Sequence, residues 1–308
     1  MSVKIVQLNT ENLFLLATSK ENSSTDIPLS PKSNDKTTEL AYAIKDMDPD
    51  ILLLCEVGGR ESLDLFNGAY LGDQYISTLI KGNSDRGIEL GYLIHKRLNL
   101  KVQHFTHKNR KIGHSPDGEP LYFSRDLGEL RFFDKADVEN QKPKLVILHS
   151  HLKSKWDRTG LDPLGKKQRT LEVEGIIQVY QNLKTNFPKT PVIVAGDLNG
   201  LAHKENGEEE FQGLFTKTEL LDVLEHLNLP QNLRTTFVHF EKDSPPIEQQ
   251  LDYIFFSPEL INSVDKENSG IYRFKNPDGT PRPTPQSTFE RYALPSDHYP
   301  VVLTLNSL

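Results

Sequence analysis

The stretch VIVAGDLNG, residues 192–200, joins an apolar run suited to a buried β-strand to a glycine, a carboxylate and an amide. Asp197 and Asn199 beside glycines are ordinary turn residues, because both side chains cap strands and tolerate left-handed backbone. A strand that ends in a tight turn is therefore one interpretation. The other is that the strand delivers these two side chains to a functional site, and the rest of the chain has to decide between them.

Six further apolar runs resemble this strand, and several are apolar throughout rather than alternating. Strands that are covered on both faces have this pattern. Two stretches between them, residues 37–48 and 167–184, have the apolar spacing of helices. Strands and helices mixed along the whole length predict an α/β fold with two sheets packed together. The predicted strands are residues 3–8, 50–57, 88–95, 144–152, 191–198, 250–257 and 299–305.

Size and composition favour a globular protein with a sizeable core. The chain has 308 residues, of which 36% are hydrophobic and 26% charged, and we expect one domain spanning residues 1–308 because no linker separates two cores. No apolar run approaches the ~18 residues of a membrane helix. Asn9, Glu11 and Asn12 interrupt the region where a secretory signal would be apolar. We therefore expect no membrane segment and no export signal, and the compartment is unknown, cytoplasmic by default.

The cysteine content and the charge exclude some classes of protein. Cys55 is the only cysteine, which excludes an internal disulfide and a cysteine-based zinc site, and its place in ILLLC predicts a buried thiol. A net charge of −7 argues against a passive nucleic-acid coat protein, which needs a basic surface. An enzyme that cuts phosphodiesters needs only a local basic strip. Long polar loops at residues 19–36 and 268–295 predict function or disorder.

Polar side chains stand where the predicted strands begin or end. Any one of them has an ordinary explanation, as a cap for an aspartate or as a structural imidazole for a histidine. Several together are harder to explain in this way, because strand ends on one side of a two-sheet sandwich converge and can line one cleft. The positions are Asn9, Glu56, His151, Asp197 with Asn199, Asp252, and Asp297 with His298.

The chemistry of this set favours magnesium over zinc. Carboxylates and amides offer hard oxygen ligands, which Mg²⁺ or Mn²⁺ accepts while keeping several waters. The histidines are spread far apart, and neither HExxH nor CxxC spacing occurs. His149 and His151 lie on one predicted strand, where we expect them to face opposite sides, so that only one of them points into the cleft.

Six blocks, in this order, resemble the signature blocks of the endonuclease/exonuclease/phosphatase superfamily: LNTENLF, LLLCEV, HSHLKSK, VAGDLNG, QLDYIF and PSDHYPV. The resemblance extends from Asn9 to about Leu305. It implies a DNase I-like, four-layer α/β sandwich, in which two mixed sheets pack face to face with helices outside. It also implies metal-dependent cleavage of phosphate esters, and so favours the functional interpretation of residues 192–200.

The resemblance implies a metal site and its cofactor. Asn9 and Glu56 match the superfamily's metal-site residues, with Glu56 as the principal ligand, and Asp297 matches an acid close to the metal. The implied cofactor is Mg²⁺, with Mn²⁺ or Ca²⁺ as alternatives. Whether one or two ions act stays open.

The resemblance also implies catalytic roles. Asp197 matches the aspartate that orients or deprotonates the attacking water, and Asn199 matches the amide that holds the scissile phosphate. Asp252 and His298 match a pair in which the carboxylate fixes the imidazole tautomer. His151 matches a second imidazole facing the phosphate.

The sequence favours a nuclease of DNA or RNA within the superfamily. A WCDR-type block, usual in inositol phosphatases, is absent where this chain has QLDYIF. Segment 153–169 carries six basic and two acidic residues, a net +4, so Lys153 and Lys155 are candidate substrate-binding residues and Trp156 can stack on a base. The alternative is a solvated loop leading into a helix. Sphingomyelinase-like or small-molecule phosphoesterases, and an inactive binding module, also stay open, and no obligate protein partner is evident.

Overall fold

A computed structural model describes residues 2–16, 30–115, 117–135, 142–156 and 160–308. These residues form sixteen β-strands and six α-helices. The strands are β1 Val3–Leu13, β2 Ile51–Val57, β3 Tyr75–Leu79, β4 Glu89–His95, β5 Leu100–Thr106, β6 Gly113–His114, β7 Pro120–Leu121, β8 Leu127–Asp134, β9 Leu145–His151, β10 Val192–Asp197, β11 Leu221–Asp222, β12 Phe237–His239, β13 Ile247–Gln249, β14 Asp252–Phe256, β15 Gly270–Ile271 and β16 Val301–Leu305. The α-helices are α1 Asn34–Met47, α2 Arg60–Leu65, α3 Lys166–Asn186, α4 Gln212–Thr216, α5 Val223–His226 and α6 Thr288–Tyr292.

Most of the strands form two six-stranded sheets. The first sheet has the order β15-β16-β1-β2-β4-β3, and the second has the order β11-β14-β10-β9-β8-β5. Each sheet has one parallel pair at its centre, β1 with β2 and β9 with β10, and its other neighbouring strands are antiparallel. Both sheets are therefore mixed. The remaining strands form the hairpins β6–β7 and β12–β13.

The two sheets face each other across an apolar core. Alternate residues of their strands point into it, because successive side chains of a strand face opposite ways. Ile5 and Leu53 come from the first sheet, and Phe132, Ile147 and Ile254 come from the second. All five are fully buried.

Helices cover the outer faces of both sheets. Helix α1 packs Leu40 and Ile44 on the outer face of the first sheet, and its N-terminus is capped by the Ser33 side chain. Helix α3 packs Ile176 and Tyr180 on the outer face of the second sheet. The order of layers is helix, sheet, sheet, helix, which confirms the predicted α/β sandwich. Among the described residues, no helix combines the length and the apolar character needed to span a bilayer.

The predicted elements are present, with shifted ends. All seven predicted strands and both predicted helices correspond to elements of the fold. Strand β1 runs on to Leu13 instead of ending at residue 8, with left-handed backbone at Glu11 and Asn12. Strands β3, β5 and β8 were not predicted from the sequence. Strands β3 and β5 are outer strands whose polar and apolar residues do not form a clear run. Strand β8 is interrupted by two charges, Glu129 and Arg131.

Other sequence expectations have mixed outcomes. Cys55 is a buried free thiol on β2, as predicted. Within the two long loops, residues 19–29 lie outside the described residues. The segment 268–295 is described, and it contains β15 and α6.

Candidate active site

Side chains from both sheets meet at one end of the core between them. Strands β1 and β2 of the first sheet each contribute a polar residue, and so do β9, β10 and β14 of the second sheet. The turn after β10 and the segment before β16 complete the group. Its members are Asn9, Glu56, His151, Asp197, Asn199, Asp252, Asp297 and His298.

Asp197 lies at the centre of this group. Its Oδ2 accepts a hydrogen bond from Asn9 Nδ2 at 2.9 Å, and lies 3.5 Å from His151 Nε2 and 3.9 Å from His298 Nε2. Nε2 of His151 is in turn 4.0 Å from Glu56 Oε1. These atoms are close enough to act on one phosphate group, while their individual roles stay predictions.

The end of β10 is both a tight turn and part of this group. Gly196 has φ 149°, and a Cβ built there would lie 1.8 Å from the Ser150 carbonyl oxygen, so β9 and β10 can only approach this closely around a glycine. Asn199 has φ 52°, and its N–H donates to Asp197 Oδ1 at 2.9 Å. The side-chain amide of Asn199 donates to the Leu152 carbonyl at 3.0 Å. Residues 192–200 therefore form the tight turn of the first interpretation, and a functional role of Asp197 and Asn199 stays a prediction.

Asp252 and His298 form a buried hydrogen-bonded pair. His298 Nδ1 lies 2.7 Å from Asp252 Oδ2, and the Phe237 ring packs on the imidazole with 4.8 Å between ring centroids. Burial alone would lower the pKa of His298, but the carboxylates of Asp252 and Asp197 raise this pKa well above its ordinary value. The imidazole of His298 is therefore held as a cation.

Gln7 supports this pair from β1, and the sequence did not single it out. Its Nε2 donates to Asp252 Oδ1 at 2.9 Å, so each Asp252 oxygen has a partner. The opposite amide orientation would place oxygen against carboxylate, which fixes the assignment. Gln7 is fully buried and its Oε1 has no hydrogen-bond partner. A glutamine in an otherwise apolar strand is the only sequence signal that marks it.

Burial shifts the pKa values of Asp197 and His151 so that the neutral form of each side chain is favoured. Burial raises the pKa of Asp197 to about 6, against the opposing effect of the His298 charge. Burial, with help from the nearby Arg125 and His298 charges, holds the pKa of His151 well below its ordinary value. His151 is therefore neutral beside a cationic His298. Two imidazoles in different charge states flank one carboxylate.

The position and the pKa of Glu56 are those expected of a carboxylate that binds a metal ion. It lies in the left-handed region, with φ 65°, although it belongs to a strand, and its Oε2 accepts the Asn12 N–H at 3.0 Å. Burial and the nearby Asp297 carboxylate raise the pKa of Glu56. Two partly buried carboxylates whose charges repel each other fit a divalent cation, which would compensate them.

A second arrangement can also hold an ion. Within the described part of the chain, Asp197, Asp252 and His298 are the group of three His, Cys, Asp or Glu residues whose ligand atoms all lie within 4.8 Å of one another. His298 Nδ1 already serves Asp252, so an ion would have to use its Nε2. This possible metal site overlaps the predicted catalytic residues and leaves out the predicted ligands Asn9, Glu56 and Asp297.

The expectation that His149 and His151 face opposite sides of their strand is wrong. Residues two apart on a strand share a face, so both point towards the first sheet. His149 lies deeper in the core, 3.5 Å from the Cys55 sulfur and packed edge-on against Tyr92. Only His151 reaches the Asp197 carboxylate.

Much of the positive charge of segment 153–169 is compensated by glutamates outside the segment. Lys155 pairs with Glu208 at 2.6 Å, Lys166 with Glu209 at 3.0 Å, and Arg169 forms a buried pair with Glu210 at 2.8 Å. Lys153 donates to the carbonyls of Ser154 and Trp156 within its own loop. Residues 157–159 of the segment lie outside the described residues. Substrate binding by Lys153 and Lys155 stays a prediction, and the run Glu208–Glu210 weakens it.

Two other arginines lie beside the group and were missed. Arg86 donates to Asn12 Oδ1 at 2.8 Å, and Arg125 donates to the Leu152 carbonyl at 2.7 Å. Both charges lower the pKa of Glu56 and of His151, which places them within electrostatic range of the site. No sequence block marked them, because each lies in an irregular segment just before a strand.

No protein-family model matches this sequence, and no curated protein matches it. Solved structures match over nearly the whole chain. TDP2 from D. rerio, complexed with a single-strand DNA product, has a TM-score of 0.62 and 16% identity, with 99% of each chain covered. An endonuclease/exonuclease/phosphatase family protein from Bacteroides thetaiotaomicron has a TM-score of 0.58 and 18% identity, covering 99% of this chain and 98% of that chain.

A mannosyl-6-phosphatase from the same bacterium has a TM-score of 0.57 and 19% identity, covering 98% of this chain and 99% of that chain. At these identities the likeness shows the fold. The chain therefore has the DNase I-like fold of the endonuclease/exonuclease/phosphatase superfamily, which the six signature blocks predict.

Proposed function

We propose that the protein is a divalent-metal-dependent phosphodiester hydrolase and that its substrate is DNA or RNA. The observation that carries the proposal is the set of buried groups around Asp197: a cationic His298 paired with Asp252, and a neutral His151. A carboxylate between a positive and a neutral imidazole can take a proton while the neighbouring cation faces an anion.

The residues of the chain supply the parts of an in-line hydrolysis. Asp197 accepts a hydrogen bond from the attacking water and takes its proton as the water oxygen bonds to phosphorus. Asn199 holds the phosphate through the amide N–H that does not serve Leu152. His298, kept cationic by Asp252, faces the negative charge that grows on the phosphate oxygens while the bond from phosphorus to the leaving oxygen breaks.

We propose Asn9, Glu56 and Asp297 as the metal-site residues, and Mg²⁺ as the ion, with Mn²⁺ or Ca²⁺ as alternatives. Magnesium prefers carboxylate and amide oxygens to imidazole, and the uncompensated charge at Glu56 supports this set over the one that contains His298. The bound cation supplies neutralisation of charge on the phosphate and on its leaving oxygen.

Nucleic acid is favoured as the substrate by two observations. Arg86 and Arg125 add cations next to the site, and the TDP2 structure with the same fold holds a DNA product. The mannosyl-6-phosphatase has this fold too. Sugar phosphates and lipids such as sphingomyelin are therefore included in the test.

The test is a panel of substrates with the purified protein: duplex DNA, single-stranded DNA, RNA, sphingomyelin, inositol phosphates and mannose 6-phosphate. Each is incubated with Mg²⁺, Mn²⁺, Ca²⁺ or a chelator. We expect cleavage of DNA or RNA with Mg²⁺ or Mn²⁺ and none with the chelator. Turnover of only a lipid or sugar phosphate would replace the substrate assignment, and turnover that survives the chelator would overturn the metal dependence.

A further inference from the structure

A cavity of about 600 Å³ opens beside the candidate active site. A volume of this size accommodates a ligand of nucleotide size. Its lining includes the arginines Arg86 and Arg125, the aromatic residues Tyr122 and Trp156, and the buried apolar residue Phe123. The carboxylates Asp85 and Asp162 also line it. Of the side chains that the sequence singled out, Lys153 and Trp156 line this cavity.

Arg125 is a buried cation, and the described residues offer it no carboxylate partner. Its exposure is only 8%, and its hydrogen-bond acceptors among the described residues are the Leu152 carbonyl at 2.7 Å and the Ser124 hydroxyl at 3.3 Å. No carboxylate of the described chain lies within 4.0 Å of its guanidinium or of the Arg86 guanidinium. Burying an arginine in this way is unfavourable unless an anion compensates it. The guanidinium therefore points to an anionic ligand in the cavity.

Hydrogen bonds connect both arginines to the candidate active site. Arg125 and the Asn199 amide donate to the same acceptor, the Leu152 carbonyl, at 2.7 and 3.0 Å. Arg86 bonds Asn12 Oδ1, and the N–H of Asn12 bonds Glu56. Each arginine is therefore linked through one intervening residue to a predicted site residue, Arg125 to Asn199 and Arg86 to Glu56.

The aromatic residues indicate what the phosphate carries. Tyr122 and Trp156 are 40% and 64% exposed, so both offer ring surface to a ligand. A planar base stacks favourably on such rings. Phe123, with 1% exposure, adds an apolar wall.

We propose that this cavity is the subsite for a nucleoside monophosphate unit, with the phosphate between Arg86 and Arg125 and the base against Tyr122 and Trp156. The inference rests on the proposed function, since it names the part of the substrate next to the bond that is cut. It assigns specificity to Tyr122 and Arg125, and it makes nucleotides the substrate class.

Binding can be measured without turnover, because Trp156 is the only tryptophan of the chain. The probe is thymidine 5′-monophosphate, titrated against Trp156 fluorescence in the presence of a chelator. Thymidine, ribose 5-phosphate and inorganic phosphate are the comparison ligands. We expect saturable quenching by the nucleotide, and binding about tenfold weaker or worse for each comparison ligand.

Substitutions distinguish the contribution of the phosphate to binding from the contribution of the base. Arg125→Gln, which retains a donor for Leu152, and Arg86→Gln should each weaken nucleotide binding about tenfold to hundredfold. Tyr122→Leu should weaken it about tenfold and leave ribose 5-phosphate unaffected. Arg60→Gln, at an exposed arginine paired with Asp64, is the matched control for charge, and Tyr42→Leu, at an exposed tyrosine of α1, is the control for the ring.

Turnover of two esters that both release p-nitrophenolate gives a second measurement. Tyr122→Leu should raise the KM for thymidine 5′-(p-nitrophenyl phosphate) and leave the KM for methyl p-nitrophenyl phosphate unchanged. Equal binding of ribose 5-phosphate and nucleotide, with no effect of Tyr122→Leu, would make the cavity a plain phosphate site and overturn the nucleoside assignment. Absence of nucleotide binding, or binding that Arg125→Gln leaves unchanged in a protein of normal melting temperature, would overturn the subsite itself. A protein that binds the nucleotide through Arg125 yet hydrolyses no phosphodiester would contradict only the proposed function.

Discussion

The space between the two sheets has two regions of opposite character. Through most of its length Ile5, Leu53, Phe132 and Ile147 fill it with apolar side chains. At the end that holds the candidate active site, the active end, the same two sheets bury Asp252, His298 and other charged groups. Gln7 Oε1, at this end, has no hydrogen-bond partner among the described residues. The strands and their spacing are common to both regions, so the difference lies in the side chains alone. It indicates that the apolar region supplies the stability that the active end lacks.

Removing the central groups of the active end should give the largest effect. Asp197→Asn and His298→Gln each remove a group that one step of the proposed reaction needs, so the kcat should fall about 10²–10⁴-fold. For Asp197→Asn the free energy of unfolding should stay the same or rise, because a charge is no longer buried, whereas His298→Gln should lower it by about 3–5 kcal/mol, because the buried Asp252 loses its cationic partner. Steady-state kinetics and urea unfolding measure the two quantities. A folded variant with near-normal kcat would contradict the assignment.

A substitution in the apolar region should instead lower the free energy of unfolding and leave the kinetic constants unchanged. Phe132→Ala removes a fully buried ring between the sheets and should lower the free energy of unfolding by about 3–5 kcal/mol. At a temperature where the variant is still folded, its KM and kcat should be close to those of the unmodified protein. A large loss of kcat in the folded variant would show that the two regions are not separable.

Gln7 lies at the boundary between the regions. Gln7→Leu keeps its volume but removes the donor to Asp252, and the kcat should fall about tenfold to hundredfold with little change in KM, because His298 loses its fixed orientation. The free energy of unfolding should change by about 1 kcal/mol or less, since an unpaired buried oxygen disappears along with the hydrogen bond.

Ile5→Val on the same strand is the matched control for Gln7→Leu. It should lower the free energy of unfolding by about 1 kcal/mol and leave the kcat unchanged. If both variants behave alike, Gln7 has a packing role and no part in positioning Asp252.

A buried carboxylate away from the active end should give the smallest effect. Burial raises the pKa of Asp222 to about 6, and its partners are Gln250 Nε2 and the Leu224 N–H. This pKa lies above the unfolded value, so ionisation destabilises the fold as the pH rises from about 4 to 6. Asp222→Asn should therefore stabilise the protein by about 1–2 kcal/mol at pH 8. Gln250, whose Oε1 has no partner, can turn its amide to accept from the new side chain.

The pH dependence distinguishes this cause from a simple change in packing. Urea unfolding of both proteins at pH 8 and pH 4 should show the gain at pH 8 and little gain at pH 4, where the aspartate carries its proton in the folded state and is about half ionised in the unfolded state. A difference that is equal at the two pH values would mean that charge burial is not its cause.

The sequence predicted the architecture well because the central strands are short apolar runs that end in polar residues. The eight residues of the site came from these strand ends, and the structure brings them together. Outer strands such as β3 and β5 were missed because their exposed faces lack a clear pattern.

Residues whose importance depends on the fold could not be predicted. Gln7 matters through Asp252, which is 245 positions away along the chain. Arg125 stands out only when its burial is known. The charge of segment 153–169 was misjudged because Glu208, Glu209 and Glu210 neutralise it from a distant part of the sequence.

The active end takes Asn9 and Glu56 from one sheet and His151, Asp197 and Asp252 from the other. If one sheet shifted relative to the other by about an ångström, these groups would separate although every strand stayed paired. Displacements of that size can lower reaction rates about 100-fold. Warming should therefore abolish the proposed hydrolase activity reversibly at temperatures where the circular dichroism spectrum is still that of the folded protein.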